Sequence, residues 1–216
     1  MSKNVVVVDY GIGNLHSVVK ALRHEGGDVA ITSDADKIAS ADRLVLPGVG
    51  AFGDGMRELT ERRLVEPLRA YVKTGRPFLG ICLGMQLLLD ESEEFGRREG
   101  LGIVPGKVVE IPRGDGIDRP RMKIPHIGWN DIAPPAGKTW EGSLLADIPF
   151  GDAGRTSMYF VHSFAAVPDE EFRLADAMYG GFRVSASIRR DNVTGCQFHP
   201  EKSGPVGLRI VNRFLR

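Results

Sequence analysis

The chain has 216 residues, with 28 lysines and arginines against 28 aspartates and glutamates, so its formal net charge is zero. A neutral chain has no protein-wide positive field, which argues against nucleic acid or an anionic membrane as a general partner. Hydrophobic residues make up 42% and charged residues 26%, as in globular proteins, and the length suits one domain over 1–216. Only glycine is in excess, with 27 residues.

Two cysteines, Cys82 and Cys196, are too few for a disulfide framework. The N-terminal segment contains only a short apolar run at residues 5–8, which is too short for a secretory signal. No stretch approaches the roughly 20 consecutive apolar residues of a membrane-spanning helix. We therefore expect a cytoplasmic protein in which both thiols are reduced.

The first half of the chain alternates short β-branched runs with segments of helical periodicity. Strands are predicted over residues 5–8, 29–32, 43–46 and 77–81, and helices over 15–22, 54–74 and 83–90, with an interruption or cap near Pro67. Strands that alternate with helices in this way are typical of a parallel sheet with helices on both of its faces.

The second half reads differently, because strand-like runs follow one another with few helices between them. Strands are predicted over 107–111, 157–161, 172–178, 184–188 and 193–198, a final helix over 206–214, and loops over 112–120 and 133–138. The predicted fold class is thus α/β, with an open, mostly parallel but mixed central sheet and helices on both faces.

The glycines of GVGAFG imitate a nucleotide-binding fingerprint. Gly48, Gly50 and Gly53 match G-x-G-x-x-G and follow the strand-like run RLVL. However, Pro47 separates the run from the motif, and the region about 20 residues later is predicted to be helical rather than an acidic strand end. A tight turn that needs a positive φ is the better interpretation of these glycines.

Cys82 lies between a predicted strand and a predicted helix, with Gly80 and Gly84 two residues to either side. This is the G-x-nucleophile-x-G elbow with cysteine in place of serine, in which a sharp turn raises the nucleophile above the sheet edge. The N–H of Leu83 is then placed to donate to an oxyanion. Taken alone, the motif also fits a buried structural cysteine between two glycines.

A second motif, GCQFHPEKS, places His199 and Glu201 two residues apart, and Pro200 disfavours a helix at His199. In an extended segment the two side chains share a face, so the carboxylate can orient the imidazole while the imidazole takes a proton from a thiol. By the same alternation Cys196 takes the opposite face and is predicted to pack in the core.

The remaining histidines carry weaker signals. His162 follows a predicted strand, which fits either a binding position at the strand end or a structural role, and His126 has either a surface or a packing role. No histidine and cysteine spacing resembles a zinc site, and no phosphate-binding loop is present. We expect neither a metal nor a cofactor.

Three of these motifs resemble the class I, triad-type glutamine amidotransferases: LPGVGAFGDGM (46–56), GICLGMQLL (80–88) and GCQFHPEKS (195–203). More narrowly, DYGIGNLHSV (9–18), KIPHIGWN (123–130) and YFVHSF (159–164) are similar to the glutaminase subunits of imidazole glycerol phosphate synthases, which serve histidine biosynthesis. The resemblance extends from one end of the chain to the other.

The resemblance implies that Cys82 attacks the carboxamide of glutamine, that His199 transfers the proton, and that Glu201 holds His199. The resulting thioester is hydrolysed to glutamate. Ammonia then passes through a channel to a (β/α)₈ cyclase subunit, the expected heterodimer partner.

The same resemblance implies further site residues. Oxyanion donors are expected from Leu83 and from the PGVG turn at Val49 or Gly50, and Gly50, Gln86, His162 and Ser163 are candidates for holding glutamine. Asn14, Trp129 and Lys202 are candidates for the partner interface. Because glycines flank Val49, we hypothesise that the turn rests with its donor misaligned and rotates when the partner binds its own substrate.

Two other functions compete with this one. The chain could be a free-standing cysteine hydrolase of γ-glutamyl substrates, or a non-enzymatic regulator that has kept the fold. The intact elbow and His-x-Glu pair argue against the regulator, and the motifs outside the triad argue against the free-standing hydrolase.

Overall fold

The computed structural model of the chain describes residues 4–114, 116, 121–149 and 156–216. The predicted loop at 112–120 therefore lies largely outside the described residues. Within these ranges, no helix combines the length and the apolar character needed to cross a membrane.

The secondary structure follows the chain in this order. The first half contains β1 (Asn4–Val8), α1 (Leu15–His24), β2 (Asp28–Thr32), α2 (Ala35–Ser40), β3 (Arg43–Gly48), α3 (Phe52–Glu61), α4 (Val65–Val72), β4 (Phe78–Cys82) and α5 (Leu83–Gln86). The second half contains β5 (Glu91–Ser92), β6 (Arg98–Glu99), β7 (Gly106–Glu110), β8 (His126–Ala133), β9 (Ser157–His162), β10 (Phe164–Pro168), β11 (Arg173–Tyr179), β12 (Phe182–Arg190), β13 (Val193–Cys196) and α6 (Gly204–Leu215). Short 3-10 turns lie at Glu170–Phe172 and Pro200–Lys202.

A nine-stranded sheet forms the centre of the molecule, in the order β2-β1-β3-β4-β13-β12-β11-β8-β9. The first five strands in this order run parallel to one another. The other four pair antiparallel, each with its neighbour. The α/β fold with a mixed sheet is confirmed, and a second, four-stranded sheet of order β10-β7-β5-β6 accompanies it.

Helices cover both faces of the central sheet, as predicted. In β1 the side chains alternate, because successive residues of a strand point to opposite faces. Val5 and Val7 belong to the core that includes buried residues of α1 and α6. Val6 and Val8 belong to the core that includes buried residues of α2, α3, α4 and α5. Each face of the sheet therefore has its own hydrophobic core.

The interruption predicted near Pro67 in the helical region 54–74 is present. It separates α3 from α4, where Arg63 adopts a φ of 58°, and Pro67 lies just after it in the first turn of α4, where a missing N–H is tolerated. Two other predicted elements are too long. The helix expected over 83–90 ends at Gln86. The strand expected over 193–198 ends at Cys196.

The topology brings three strand ends together. β3, β4 and β13 are neighbours in the parallel part of the sheet, where Gly48 is in register with Cys82, and Ile81 with Cys196. In open α/β sheets, ligands bind outside the carboxyl ends of such strands. The PGVG turn, the Cys82 elbow and the GCQFHPEKS segment all leave the sheet at this edge.

Candidate active site

The sharp turn predicted at Cys82 is present. Cys82 is the last residue of β4, and α5 begins at the next residue, Leu83. Its φ of 55° and ψ of −110° place it on the left-handed side of the Ramachandran map, where residues other than glycine are uncommon. Backbone strain of this kind persists only where the surroundings hold it in place, and it clusters at functional sites.

The two glycines that flank Cys82 leave room for the elbow to lie close to its neighbours. A Cβ atom added to Gly84 would overlap the backbone carbonyl oxygen of Leu46 in β3. A Cβ added to Gly80 would lie 2.8 Å from the carbonyl oxygen of Gly84, closer than such atoms approach. The spacing G-x-C-x-G therefore reflects packing of backbone against backbone.

His199 and Glu201 form a buried pair. The Nδ1 atom of His199 lies 2.8 Å from Oε1 of Glu201, and the two side chains are only 3% and 1% exposed. Glu201 lies in the 3-10 turn Pro200–Lys202, so the predicted extended segment is wrong beyond His199, but the turn still brings the carboxylate to the imidazole.

The opposite ring nitrogen of His199 is left for the thiol. Among the described residues, Nε2 of His199 is buried without a hydrogen bond of ordinary geometry. Burial alone would lower the pKa of His199, but its interactions with Cys82 and Glu201 outweigh burial and raise the pKa to about 9. The arrangement thus favours a protonated imidazole, held between the sulfur of Cys82 and the carboxylate of Glu201.

The segment that contains His199 is hydrogen-bonded to β9. The N–H of His199 donates to the carbonyl of Tyr159 over 2.9 Å. The hydroxyl of Ser203 donates to the carbonyl of His199 over 2.6 Å and accepts from the N–H of Tyr159 over 3.0 Å. Sequence reasoning missed Ser203, because serine two residues after the His-x-Glu pair carries no signal until β9 is known to lie beside it.

The PGVG turn is open at its end, after the closely packed Gly48. Gly50 has a φ of 102°, and a Cβ atom added there would meet nothing within 4 Å, while the Val49 side chain is exposed. Gly53, the third glycine of the apparent nucleotide motif, lies within α3 and has ordinary contacts. The N–H of Phe52, at the start of that helix, donates to Oε2 of Glu94 over 2.6 Å. Only Gly50 in this motif combines an open surrounding with a left-handed backbone.

Tyr10 was missed by sequence reasoning. Its hydroxyl is buried beside Gly48 and has no hydrogen-bond partner among the described residues. Burial raises the pKa of Tyr10, and the electrostatic interaction with Cys82 raises it further. A tyrosine that follows a strand gives no sign in the sequence that it will contact the end of another strand.

The two histidines that sequence reasoning left uncertain contact each other. Nδ1 of His126 lies 3.1 Å from Nε2 of His162, and Nδ1 of His162 lies 2.8 Å from the carbonyl oxygen of Phe164. His126 is buried, so it has no surface role. Burial lowers the pKa of His126 to about 4 and that of His162 to about 3, so both rings are neutral at neutral pH.

Gln86 and Gln197 lie beside the thiol. Nε2 of Gln86 donates to the carbonyl of Phe164 and to Oε1 of Gln197, each over 2.9 Å. Nε2 of Gln197 lies 3.8 Å from Sγ of Cys82. The structure therefore places the predicted glutamine-binding residue Gln86 close to the nucleophile, and Ser163 follows β9 in the same region.

The interface candidates fall into two places. Trp129 and Lys202 both contact the ring of Tyr159, with the Trp129 ring centroid 6.0 Å away and Nζ of Lys202 at the same distance. Trp129 is 59% exposed, and Ile127 on the same strand is also exposed. Asn14 instead caps α1, where Oδ1 accepts from the N–H of Ser17 over 3.5 Å.

The second cysteine, Cys196, lies outside the site. Cys196 is fully buried in the core, as predicted, and burial raises the pKa of its thiol to about 12. In the described ranges, histidine, cysteine, aspartate and glutamate residues form no cluster of three or more that could hold a metal ion.

Comparison with known proteins places the chain in a family. The model of the family "Glutamine amidotransferase class-I" matches residues 6–216. A protein of Legionella pneumophila (strain Lens) called "Imidazole glycerol phosphate synthase subunit HisH 1" is 50% identical over 215 residues, which cover 99% of each chain. "Imidazole glycerol phosphate synthase subunit HisH" of Syntrophotalea carbinolica is 48% identical over 213 residues, covering 97% of this chain and 98% of that protein.

Solved structures agree in fold. "Structure of PurLQS from Thermotoga maritima" matches with a TM-score of 0.70 at 18% identity, covering 100% of this chain and 98% of that one. A second, "Crystal structure of glutamine amidotransferase", matches with a TM-score of 0.66 at 20% identity, covering 97% and 96%. The resemblance first drawn from the motifs is confirmed: this chain belongs to the class-I glutamine amidotransferase family.

Proposed function

We propose that this chain, acting as a single domain over 1–216, is the glutaminase subunit of an imidazole glycerol phosphate synthase. The observation that carries the proposal is the strained Cys82 elbow beside the buried His199–Glu201 pair. Full-length relatives that bear the name of that synthase subunit support the same reading. The chemistry is the hydrolysis of glutamine to glutamate and ammonia for histidine biosynthesis, without a metal or cofactor.

The proposed reaction proceeds in two halves. With its proton already transferred to Nε2 of His199, Sγ of Cys82 attacks the side-chain carboxamide carbon of glutamine. The tetrahedral intermediate collapses as the C–N bond breaks, and His199 returns the proton to the departing ammonia. Water, deprotonated by His199, then attacks the γ-glutamyl thioester and releases glutamate and the Cys82 thiol. Glu201 keeps Nε2 of His199 directed at the sulfur throughout.

The oxyanion of the intermediate needs donors, which we assign to the N–H of Leu83 and to an N–H of the PGVG turn at Val49 or Gly50. Leu83 is the first residue of α5, where backbone N–H groups have no carbonyl acceptor within the helix. Loss of one such donor raises a reaction barrier by roughly 3–4 kcal/mol. We propose that the N–H donor of the turn points away from the oxyanion until the partner binds its own substrate, and that the turn then rotates. The open space around Gly50 leaves room for this rotation.

Glutamine binding is assigned to Gly50, Gln86, His162 and Ser163. The two ring nitrogens of His162 already have protein partners, so His162 would contact glutamine through its backbone. Both N–H groups of the Gln86 amide are engaged as well, which leaves its Oε1 to accept from the substrate.

The partner in this proposal is a (β/α)₈ cyclase, and the proposed docking surface is the patch around Tyr159. Trp129 and Lys202 lie on this patch, and exposed aromatic residues are frequent energetic centres of protein interfaces. Asn14 is a weaker interface candidate, because its side chain already caps α1. A protein partner is needed because ammonium, the predominant form in water, cannot attack, so ammonia must travel through a closed channel. Nucleic acid and membrane have no role in the proposal.

The test is glutamate release from glutamine, measured with and without the cyclase. We expect activity that depends on the partner, and a Cys82→Ala variant at least about 10³-fold slower, since the nucleophile is lost. Full activity without the partner would favour the free-standing hydrolase, and none under either condition would favour the regulator. Unchanged activity in Cys82→Ala would refute the mechanism.

The interface is tested separately by Trp129→Ala. Removing a large exposed aromatic side chain should weaken binding of the cyclase by about tenfold or more, measured by titration calorimetry. Ile31, also exposed but on β2 at the opposite edge of the sheet, supplies the control Ile31→Ala. Equal affinity for the cyclase in both variants would remove Trp129 from the interface.

A further inference from the structure

We infer that Gln197 is a positioning residue for the nucleophile, whose side-chain N–H donates to Sγ of Cys82. The neighbouring hydrogen bonds fix the Gln197 amide in this orientation and exclude the flipped one. The inference deepens the proposed function and rests on Cys82 being its nucleophile. Gln197 is fully buried, and its Nε2 lies 3.8 Å from the sulfur, within reach of a long hydrogen bond to sulfur.

The orientation of the Gln197 amide follows from its neighbour. Nε2 of Gln86 lies 2.9 Å from the carbonyl oxygen of Phe164, and a carbonyl can only accept, so the amino group of Gln86 must point there. The same amino group reaches Oε1 of Gln197 with its second N–H. Gln197 must therefore present its oxygen to Gln86 and its amino group to Cys82.

The Phe164 carbonyl, which fixes the orientation of Gln86, also accepts a hydrogen bond from His162. Nδ1 of His162 donates to the Phe164 carbonyl over 2.8 Å, so Nε2 of His162 is bare and accepts from Nδ1 of His126. Both lone pairs of the carbonyl thus accept hydrogen bonds. Burial keeps both histidines neutral near neutral pH, so the donors and acceptors in the hydrogen bonds from His126 through His162 to Phe164 stay the same.

The orientation of the Gln197 amide determines which group can accept the proton of the Cys82 thiol. If the Gln197 amide were reversed, its oxygen would face the sulfur and accept the S–H, in competition with His199. In the observed direction Gln197 can only donate, which stabilises a negative charge on the sulfur and leaves Nε2 of His199 as the proton acceptor. A weaker acceptor, the carbonyl of Val161, lies 4.0 Å from the sulfur.

Two other titratable groups interact with Cys82 directly, Tyr10 after β1 and His199 after β13. Glu201 and His162 interact with His199 in turn. Substitutions of Gln197 leave all of them in place, so a change in the pH response of the thiol can be attributed to the amide.

The experiment measures the rate at which iodoacetamide alkylates Cys82 in the full chain, as a function of pH and without glutamine. Alkylation reports the thiolate and needs no glutaminase activity, with a Cys82→Ser variant as the background. Gln197→Met keeps the length of the side chain but removes the donor. Gln197→Glu keeps an acceptor for Gln86 but turns a carboxylate oxygen toward the sulfur.

We expect the midpoint of the alkylation profile to rise by about one pH unit in Gln197→Met, equivalent to about a tenfold lower thiolate fraction below the midpoint. The rise should be larger in Gln197→Glu, since the added charge repels the thiolate. The control is Ser187→Ala, which removes the buried hydroxyl that donates to the Gly195 carbonyl on the neighbouring strand and should leave the midpoint unchanged.

Midpoints that stay at the wild-type value in folded Gln197→Met and Gln197→Glu would overturn the inference, even if glutamate release fell, because Gln197 would then be only structural. If Gln197→Met does not fold, as judged by circular dichroism, Gln197→Glu decides alone. A shifted midpoint in a chain that never releases glutamate would uphold the inference about the thiol while refuting the proposed function.

Discussion

The neighbouring parallel strands β3 and β4 end side by side, at Gly48 and Cys82, but their ends are built in opposite ways. After β4 the chain turns into α5 with no spare room, since Gly84 lies against the backbone of β3. After β3 the chain enters a turn in which Gly50 has open space and Val49 is exposed. The nucleophile is therefore held in a fixed place, whereas the proposed second oxyanion donor lies beside a glycine with open space around it.

The packed side of this comparison is tested by Gly84→Ala, for which we expect the largest effect. The new methyl group would overlap the Leu46 carbonyl, so β3 and α5 must move apart, at a cost of about 3 kcal/mol or more in the free energy of unfolding. Urea unfolding measures this cost. Glutamate release should also be lost, because the shift displaces Cys82.

Gly53→Ala is the matched control, since Gly53 lies in α3 with ordinary contacts and no left-handed φ. There alanine should leave the stability unchanged or raise it by up to about 1 kcal/mol. Equal stabilities of the Gly84 and Gly53 variants would contradict the tight packing described for the elbow.

The open side is tested by Gly50→Ala. Here no atom obstructs the methyl group, so only the φ of 102° opposes alanine, and the unfolding free energy should fall by no more than about 1–2 kcal/mol. Glutamate release should nevertheless fall by roughly 10²-fold, because the turn would move its donor away from the oxyanion.

Gly26→Ala separates strain from function. Gly26 has a φ of 89° and equally open surroundings. It lies between α1 and β2, at the amino ends of the parallel strands and therefore away from the site. It should lose a similar stability and keep its activity. Activity retained in Gly50→Ala would show that the PGVG turn contributes no donor.

The smallest expected effect concerns the charge of the buried pair. The pKa of His199 is raised from its usual value to about 9, so the protonated form stabilises the fold, fully at pH below about 6.5 and progressively less as the pH rises through about 9. In Glu201→Gln the carboxylate is lost, and the fall in unfolding free energy between about pH 6.5 and about pH 9 should shrink by on the order of 1 kcal/mol.

Urea unfolding of wild type and Glu201→Gln at several pH values gives the two slopes. Because other titrating groups contribute alike to both proteins, the difference isolates the pair. Parallel curves would mean that Glu201 does not hold the proton on His199.

Local spacing was enough to predict the parts of the site that lie close together in the chain. The G-x-C-x-G spacing predicted the turn at Cys82, and the His-x-Glu spacing predicted the contact between His199 and Glu201. The strands of the parallel sheet were also predictable, because buried β-branched runs such as β1 alternate with amphipathic helices.

Other features depend on contacts between distant residues, and local patterns do not contain them. Gln197 and Gln86, which meet beside Cys82, are 111 residues apart. The helix after Cys82 was predicted too long because residues 87–89 are apolar and fully buried, so they show no periodicity that could mark an end. The helix α2 has only six residues, too few for a period to be recognised.

The most direct test of the central claim is covalent labelling with a glutamine analogue that carries an electrophilic diazoketone in place of the carboxamide, followed by peptide mapping. If Cys82 is the glutaminase nucleophile, the label should be found on Cys82 alone, and glutamine should protect against it. Labelling of Cys196, or none at all with the cyclase present, would contradict the account.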